Sequence, residues 1–295
     1  MRSRPPKGEE DVEAMLDYYL DFKKQRYLES DAPSVNYLVL DAALKAIRRY
    51  FRGYRVCEVS RQSIRDFTKL RRADGAKDGT IRKELTIFRA ALNLCRKEEI
   101  IDCGLVAFEL PSEPPPREHC LTIDQVKQFM AADAYPHIDL FCLLALHTLS
   151  RKGAILGLEW SWGVNFDSGL INFNPPGRIQ TRKRRVSVPM NSILRKALLE
   201  ARDFAVSDYV VELNGKSVKS ITRGFSSKAK AAGMEWITPH VLRHTGASIL
   251  AQQGTTMHEI AQIMGDGVRT VEKHYLKFSP DYLKTATTAL ERSYA

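Results

Sequence analysis

Apolar residues recur at helical spacing through the first hundred positions of the chain. Four segments show this pattern, which is typical of amphipathic helices. Their apolar positions are Val12, Met15, Leu16 and Tyr19; Tyr37, Leu40, Leu44, Ile47 and Phe51; Ile64 and Phe67, after a start near Ser60; and Ile81, Leu85, Phe88, Leu92 and Cys95. The pattern predicts a compact four-helix domain over residues 1–110.

A proline-rich stretch then interrupts the helical pattern. It runs from Leu110 to Arg117 and contains four prolines, three of them consecutive. Consecutive prolines exclude a helix and favour an extended segment, so we expect a linker over residues 111–117 and a second domain over residues 118–295. Thr122 and Gln125 have the spacing of a capping box, which predicts that the second domain begins with a helix.

The second domain mixes helical and strand-like patterns. The apolar run from Ile138 to Leu149 predicts a buried helix. The segment from Val164 to Phe173 alternates around an Asp-Ser-Gly turn and indicates a hairpin, to which Val186 to Met190 would add a third antiparallel strand. Further elements are expected as helices over 191–204 and 218–232 and a short strand over 209–213. The predicted fold class is mainly α with a small antiparallel β-sheet, as a helical domain followed by an α+β domain.

Two helix starts and a glycine define the C-terminal segment. Thr238 is a good N-cap and Pro239 suits the first helical position, so a helix should begin here and run to about Gly254. Thr256 and Glu259 form a second capping box, and the helix that follows should end at Gly265. A last helical tail is expected over 276–295.

Composition and charge indicate the kind of partner and the cellular compartment. The chain has 295 residues, 44% of them apolar, a formal net charge of +10 and a pI near 9.4. The basic excess favours a polyanion such as nucleic acid. The five cysteines show no Cys-x-x-Cys spacing, and no apolar run reaches the ~18 to 20 residues of a membrane span. We therefore expect a cytoplasmic protein without disulfides, structural zinc or a membrane span.

His240, Arg243 and Tyr275 are the candidate chemical groups of the C-terminal segment. A tyrosine hydroxyl titrates near ~10, so it needs help to attack a phosphodiester. A guanidinium can hold two phosphate oxygens and stabilise the charge that develops, and an imidazole can move a proton. Taken singly, each residue is better explained as a helix cap, a solvated side chain or, for Tyr275, a core residue.

Taken together, these residues resemble the catalytic segment of the tyrosine recombinases, the phage-integrase and Xer-type family. The resemblance rests on the His-x-x-Arg box at His240 and Arg243, on the helix that ends at Met264-Gly265, and on the tyrosine. Asp266 follows Arg243 by 23 residues and Tyr275 follows Asp266 by nine, which are the separations expected of the family. One departure is visible, because the position of Asp266 usually holds His or Trp.

Arg151 extends the resemblance to the end of the apolar helix. An arginine at this place is costly unless an anion or a carboxylate meets it. It matches the family's first catalytic arginine, in the pattern Thr-Gly-x-Arg-x-x-Glu. Two departures stand in this motif, because Leu149 replaces the usual glycine and Ala154 replaces the acid that commonly braces the active site.

The stretch from Gly177 to Arg185 is strongly basic and lies between two predicted strands. By itself it is typical of an exposed turn or of a non-specific DNA contact. The candidate DNA-binding residues are Arg178, Arg182, Arg184 and Arg185. In the family this β-turn carries the lysine that protonates the departing 5′ oxygen. The resemblance implies that role for Lys183, the one lysine in the turn, with Arg182 as the rival.

The resemblance implies a site-specific recombinase or integrase of a phage or mobile element, acting on double-stranded DNA. Tyr275 would attack the scissile phosphate and form a 3′-phosphotyrosine, Arg151 and Arg243 would clamp the phosphate oxygens, and His240 would assist proton transfer. The N-terminal core-DNA-binding domain would clamp the opposite face of the duplex. No metal, nucleotide or other cofactor is implied. The expected assembly is a homotetramer on paired sites, built from monomers or dimers, with DNA-bending proteins as accessory partners.

Two other functions stay open. A type IB topoisomerase uses similar chemistry without pairing two sites, and a degenerate relative would bind DNA without cutting it. Transposases with paired metals need clustered carboxylates, and no such cluster is evident in the sequence. We expect no additional arm-site-binding domain before Val12, unless the chain is a fragment.

Asp266 is the departure with the largest consequence. An ionised carboxylate can only accept hydrogen bonds and is repelled by a phosphate. Three roles follow: Asp266 braces Arg243 or Arg151 in place of the acid missing at position 154, it is protonated in the DNA complex, or it impairs the enzyme. We expect the bracing role. His244 and His274 are interpreted as structural or phosphate-side groups rather than as the main acid–base pair.

Overall fold

The computed structural model of the protein describes residues 10–28, 36–113, 120–180, 184–280 and 282–294. The chain divides into two compact units, unit 1 (residues 1–117) and unit 2 (residues 118–295). Residues 114–117 of the expected linker lie outside the described residues, as do Arg182 and Lys183 of the basic turn. Within the described ranges, no helix combines the length and the apolar content needed to cross a membrane.

Four α-helices lie in the described part of unit 1, in agreement with the apolar pattern. They are α1 (Val12–Leu28), α2 (Asn36–Tyr50), α3 (Arg61–Ala73) and α4 (Asp78–Lys97). Ser60 caps α3, because its side-chain oxygen accepts a hydrogen bond from the Ser63 amide. The apolar faces of the helices meet in one core, whose fully buried members include Leu16, Ile47, Phe67 and Phe88.

Unit 2 is built mainly from helices. They are α5 (Ile123–Ala131), α6 (Pro136–Thr148), α7 (Lys152–Ile155), α8 (Trp160–Gly163), α9 (Ser192–Asp203), α10 (Thr222–Ala231), α11 (Pro239–Gln252), α12 (Met257–Met264), α13 (Val268–Tyr275) and α14 (Lys284–Tyr294). The predicted capping boxes are present at Thr122 before α5 and at Thr256 before α12. Gly265 ends α12 in the left-handed conformation, with φ of 64°.

Two small antiparallel sheets complete unit 2. The first has the order β1 (Val164–Asn165), β2 (Leu170–Asn172), β3 (Ser187–Pro189). In its register Ile171 pairs with Val188, and both side chains are buried. The second is a hairpin of β4 (Glu212–Leu213) and β5 (Lys216–Ser217). The predicted fold class, mainly α with a small antiparallel sheet, is confirmed.

Several elements differ from the pattern in length. The strand expected over 209–213 is confined to β4, because Tyr209 instead forms an isolated bridge with Glu159. The helix expected from position 218 begins at Thr222, after the chain has left β5. Apolar spacing gives no signal for α7 and α8, since four residues are too few for an apolar stripe.

Two apolar clusters in unit 2 position the candidate site. The larger cluster lies among α5, α6, α9, α10 and the three-stranded sheet. The smaller cluster joins Leu149, which follows α6, to side chains of α11, α12 and α13. Its buried members are Leu149, Ala247, Ala251, Ile260, Ala261, Met264, Val271 and Tyr275. The end of α6 is thereby packed against the three C-terminal helices that carry the candidate residues.

Candidate active site

Arg243 is the most deeply buried charged group of the site. It lies on α11, and its side chain is only 3% exposed. Its guanidinium donates to the Leu149 carbonyl, and to the Met264 carbonyl over 3.0 Å. Leu149 ends α6 in the left-handed conformation, with φ of 53°, which favours glycine at such a position. The glycine that the family usually has at this position would suit this backbone conformation. Leu149 adopts the same left-handed conformation, and its side chain is buried in the smaller cluster.

Asp266 joins the two arginines of the site. One carboxylate oxygen accepts a hydrogen bond from Arg151 and the other accepts one from Arg243. Arg151 lies at the start of α7 with 29% of its side chain exposed, and Asp266 is 23% exposed. The contact expected of a bracing carboxylate is therefore present with both arginines. Ala154, at the position where the family usually has an acid, is buried in the larger apolar cluster.

The end of α12 fixes the position of Asp266. The Asp266 amide donates to the Ala261 carbonyl over 3.1 Å, which closes the helix end around Gly265. A Cβ on Gly265 would lie 2.8 Å from the Arg184 carbonyl oxygen. That same oxygen accepts a hydrogen bond from Arg151 over 3.0 Å. Glycine is thus required at position 265 by the positive φ and by the short distance to the Arg184 carbonyl. The same carbonyl helps to hold Arg151.

His240, His244 and Tyr275 form the second part of the site. The two histidines lie one helical turn apart on α11, with ring centroids 4.4 Å apart in an edge-to-face arrangement. His240 is exposed, His244 is half-buried, and Tyr275, the last residue of α13, is buried. The Tyr275 hydroxyl forms a hydrogen bond with Nδ1 of His244. His274 is also near, with its ring centroid 6.3 Å from that of Tyr275.

Burial and neighbouring charges shift the pKa values of the groups in the site. His240 is exposed as a residue, but partial desolvation of its ring, followed by the charges of Arg243 and Arg151, lowers its pKa. Burial, followed by His240 and Arg243, lowers the pKa of His244 to about 4, so this imidazole is neutral at pH 7. Burial raises the pKa of Tyr275, although Arg243 opposes that shift. Burial, followed by the charge of Arg151, lowers the pKa of Arg243, and Asp266 opposes the change.

The basic turn reaches the site through its backbone and through one side chain. The Arg184 carbonyl contacts Arg151, while the Arg184 side chain is exposed. Arg185 is half-buried and donates to the Gly153 carbonyl over 3.4 Å. Arg178 donates to the side-chain oxygen of Asn174 over 2.8 Å. Arg182 and Lys183 lie outside the described residues, so the general acid expected in this turn stays a prediction.

Sequence reasoning missed the contact between His244 and Tyr275. The only sequence signal is the spacing of His240 and His244, four residues apart, which puts both on one face of α11. The carbonyl partners of Arg243 were equally unpredictable, because Leu149 precedes it by 94 residues. Among the described residues, no group of three or more His, Cys, Asp or Glu side chains is arranged to hold a metal ion.

This arrangement can bind a tetrahedral anion beside a nucleophile. Arg151 and Arg243 place two guanidinium groups on one carboxylate, and a phosphate presents the same kind of oxygen acceptors. The Tyr275 hydroxyl feels the charge of Arg243, and it forms a hydrogen bond with the neutral imidazole of His244. A phosphate, a nucleophile and a proton acceptor are the components of phosphoryl transfer to a side chain.

Comparison with known proteins identifies a family for the region that contains the candidate site. The model described as "Phage integrase family" matches residues 119–280. The tyrosine recombinase XerA of Thermococcus onnurineus (strain NA1) is 25% identical over 275 residues, which cover 89% of this chain and 92% of that protein. The tyrosine recombinase XerC of Brucella melitensis biotype 1 is 24% identical over 221 residues, which cover 68% of each protein.

Solved structures share the fold at low sequence identity. A lambda integrase dimer bound to a COC′ core site has a TM-score of 0.73 at 17% identity, over 90% of this chain and 77% of that chain. The Tn1549 transposon integrase in complex with a circular intermediate DNA has a TM-score of 0.75 at 16% identity, over 94% of this chain and 99% of that chain. Because the family match covers more than half of the sequence and spans Arg151 to Tyr275, the chain belongs to the phage integrase family, the tyrosine recombinases.

Proposed function

We propose that this protein is a site-specific DNA recombinase, an integrase of a phage or mobile element that cuts and rejoins DNA through a 3′-phosphotyrosine. The observation that carries the proposal is the convergence of Arg151, Arg243 and Tyr275 within the region that matches the family. A type IB topoisomerase would use the same chemistry. The relatives XerA and XerC are named as recombinases, which favours the recombinase.

The proposed reaction is an in-line displacement at the scissile phosphate. The Tyr275 oxygen bonds to phosphorus, and the bond from phosphorus to the 5′ oxygen breaks. Arg151 and Arg243 stabilise the charge on the non-bridging oxygens, which is where a fixed guanidinium contributes most. His240 assists proton transfer and Lys183 protonates the leaving 5′ oxygen. The 5′ hydroxyl of a partner strand then reverses the step, so the reaction is balanced without a cofactor.

Asp266 has the bracing role in this proposal. Two guanidinium groups held close together repel each other, and a shared carboxylate offsets that repulsion. The ion pairs to both arginines support this role, and so does the apolar surrounding of Ala154, which leaves the negative charge of the site to Asp266. The scissile phosphate would then meet arginines already held in place.

We assign DNA binding to both parts of the chain. Residues 1–110 are proposed as the core-DNA-binding domain, residues 111–117 as the linker and residues 118–295 as the catalytic domain. The division into compact units at residue 117 supports this assignment. Arg178, Arg184 and Arg185, together with Arg182, are proposed to contact DNA phosphates beside the site, as guanidinium groups commonly do.

The proposed assembly is a homotetramer on two paired DNA sites, formed from monomers or dimers, with DNA-bending proteins as accessory partners. Support comes from structural neighbours, which include a lambda integrase tetramer bound to a Holliday junction, with a TM-score of 0.71. These comparisons share the fold at 18% identity or less, so the assembly needs its own test.

The test begins by finding the DNA target. A library of nicked duplexes with randomised sequence is incubated with the protein, and the DNA that becomes covalently attached is recovered and sequenced. Two copies of the recovered sequence are then placed on one supercoiled plasmid. A recombinase inverts or excises the intervening segment only when both copies are present. Relaxation of plasmids that carry a single copy, without recombination between two, would identify a topoisomerase instead.

A further inference from the structure

The proton of the nucleophile has one well-placed acceptor in the described structure. The Tyr275 hydroxyl is hydrogen-bonded to Nδ1 of His244, and the two ring centroids lie 5.8 Å apart. A neutral imidazole with its proton on Nε2 presents Nδ1 as an acceptor. With this tautomer the Tyr275 hydroxyl donates to Nδ1 of His244, which is the direction that proton transfer requires.

The other groups near Tyr275 are less suited to take this proton. Arg243 has only donors and stays protonated. The carboxylate of Asp266 already accepts from two guanidinium groups. His240 lies one turn away from His244 on α11 and is exposed, where it can meet DNA. The hydrogen bond therefore distinguishes the two histidines: His244 contacts the nucleophile, and His240 is left to assist from the side that is open to DNA.

We infer that His244 is the general base that takes the Tyr275 proton during strand cleavage, an assignment that rests on the proposed function. The bond from the tyrosine oxygen to hydrogen breaks, and the proton moves to Nδ1 of His244. The tyrosine oxygen bonds to phosphorus, and the electron pair of the breaking bond leaves with the 5′ oxygen, which receives its proton from the separate acid in the basic turn. In the reverse step His244 returns the proton to Tyr275.

The charges around His244 make its basicity depend on DNA. His240, Arg243 and His274 face it and oppose its protonation, and Asp266 favours protonation more weakly. A scissile phosphate bound by the arginines adds negative charge to this surrounding, and a nearby negative charge raises the pKa of an imidazole. His244 is thus a weak base in the free protein and a stronger one once the phosphate is in place, at the moment when the proton must move.

His244→Asn separates a base from a mere orienting group. The asparagine Oδ1 has nearly the position of the histidine Nδ1 and accepts the same hydrogen bond, but it cannot carry the proton. Single-turnover cleavage of a nicked duplex of the recovered sequence is measured from pH 6 to 9. General-base catalysis typically contributes about 10² to 10⁴-fold, so the variant should cleave at least about 100-fold more slowly at pH 7. DNA affinity and the thermal midpoint, measured in parallel, should stay close to those of the unchanged protein.

The pH profile provides the decisive signature. The unchanged protein needs neutral His244, so its rate should be level above pH 7. In His244→Asn hydroxide must remove the proton, and since the pKa of Tyr275 is raised, the rate should climb about tenfold per pH unit up to pH 9. His240→Asn should lower the rate without introducing this slope. His258→Asn, at an exposed histidine of α12 paired with Gln262, is the matched control and should leave rate and profile unchanged.

Two outcomes would overturn the inference, and they are distinguishable. If His244→Asn cleaves within about threefold of the unchanged protein with the same level profile, His244 only orients the tyrosine, and the proposed function stands. If the unchanged protein forms no adduct through Tyr275, the proposed function fails and the assignment of His244 fails with it.

Discussion

Arg72 in unit 1 and Arg243 in unit 2 lie in opposite environments. In unit 1, Arg72 pairs with Asp78 through two hydrogen bonds of 2.8 and 3.0 Å, and both side chains are more than 40% exposed. Water competes with such pairs, so they contribute little to stability. In unit 2, Arg243 is 3% exposed and has two carbonyls and one carboxylate as partners.

The difference shows where the protein buries a charged group in spite of the free-energy cost. Burying a guanidinium requires that its hydrogen bonds be satisfied, and an apolar side chain would fill the same space without that demand. Arg243 is therefore best explained by a ligand that needs it, whereas Arg72 is explained as well by solvation of a helix surface.

The largest effect is expected for Arg243→Lys. A lysine keeps the charge but loses the planar grip on two acceptors at once. Loss of one donor to a developing negative charge typically costs about 10² to 10³-fold in rate, so single-turnover cleavage should fall by at least about 100-fold while DNA affinity falls far less. Arg72→Lys is the matched control and should change cleavage by about twofold or less. Equal effects of both variants would mean that the contrast between Arg72 and Arg243 has no functional content.

Asp266→Asn should have the next largest effect. The amide keeps a hydrogen bond but removes the charge shared by Arg151 and Arg243, so cleavage should fall about tenfold, the equivalent of 1.4 kcal/mol. Asp266→His should not restore cleavage unless Ala154→Glu is added. A large gain from Asp266→His alone would show that the bracing role is wrong and that the natural site is degenerate.

The smallest effect is expected in the comparison of Gly265→Ala with Gly254→Ala. The difference between their losses of unfolding free energy measures the close approach of Gly265 to the Arg184 carbonyl oxygen. Both glycines end a helix with positive φ, but nothing lies within 4 Å of a Cβ at Gly254, whereas one at Gly265 would lie 2.8 Å from the Arg184 oxygen. Each alanine should lose roughly 1 kcal/mol of unfolding free energy from the backbone conformation. Gly265→Ala should lose at least about 1 kcal/mol more and should also slow cleavage. Equal denaturation midpoints would contradict this account of Gly265.

The sequence predicts the helices of the site better than it predicts their contacts. Thr256 with Glu259, and Gly265 at the other end, define α12 because caps and left-handed glycines are local features. The pairing of Asp266 with Arg151 joins positions 115 residues apart, and that of His244 with Tyr275 joins positions 31 apart. Such contacts depend on how the helices pack, which periodicity does not encode. The family resemblance supplied the residues, and the packing supplied their partners.

The central claim, that Tyr275 is the nucleophile of a recombinase, is tested most directly by covalent trapping on a nicked duplex of the recovered sequence. Cleavage releases the short fragment that carries the free 5′ hydroxyl. The protein should then stay attached to the DNA through the 3′ phosphate and migrate as an adduct on a denaturing gel. Tyr275→Phe should bind the same DNA and give no adduct, Tyr282→Phe, at an exposed tyrosine nearby, should give a normal yield, and EDTA should have no effect. An adduct that persists in Tyr275→Phe, or a requirement for a metal ion, would contradict the account.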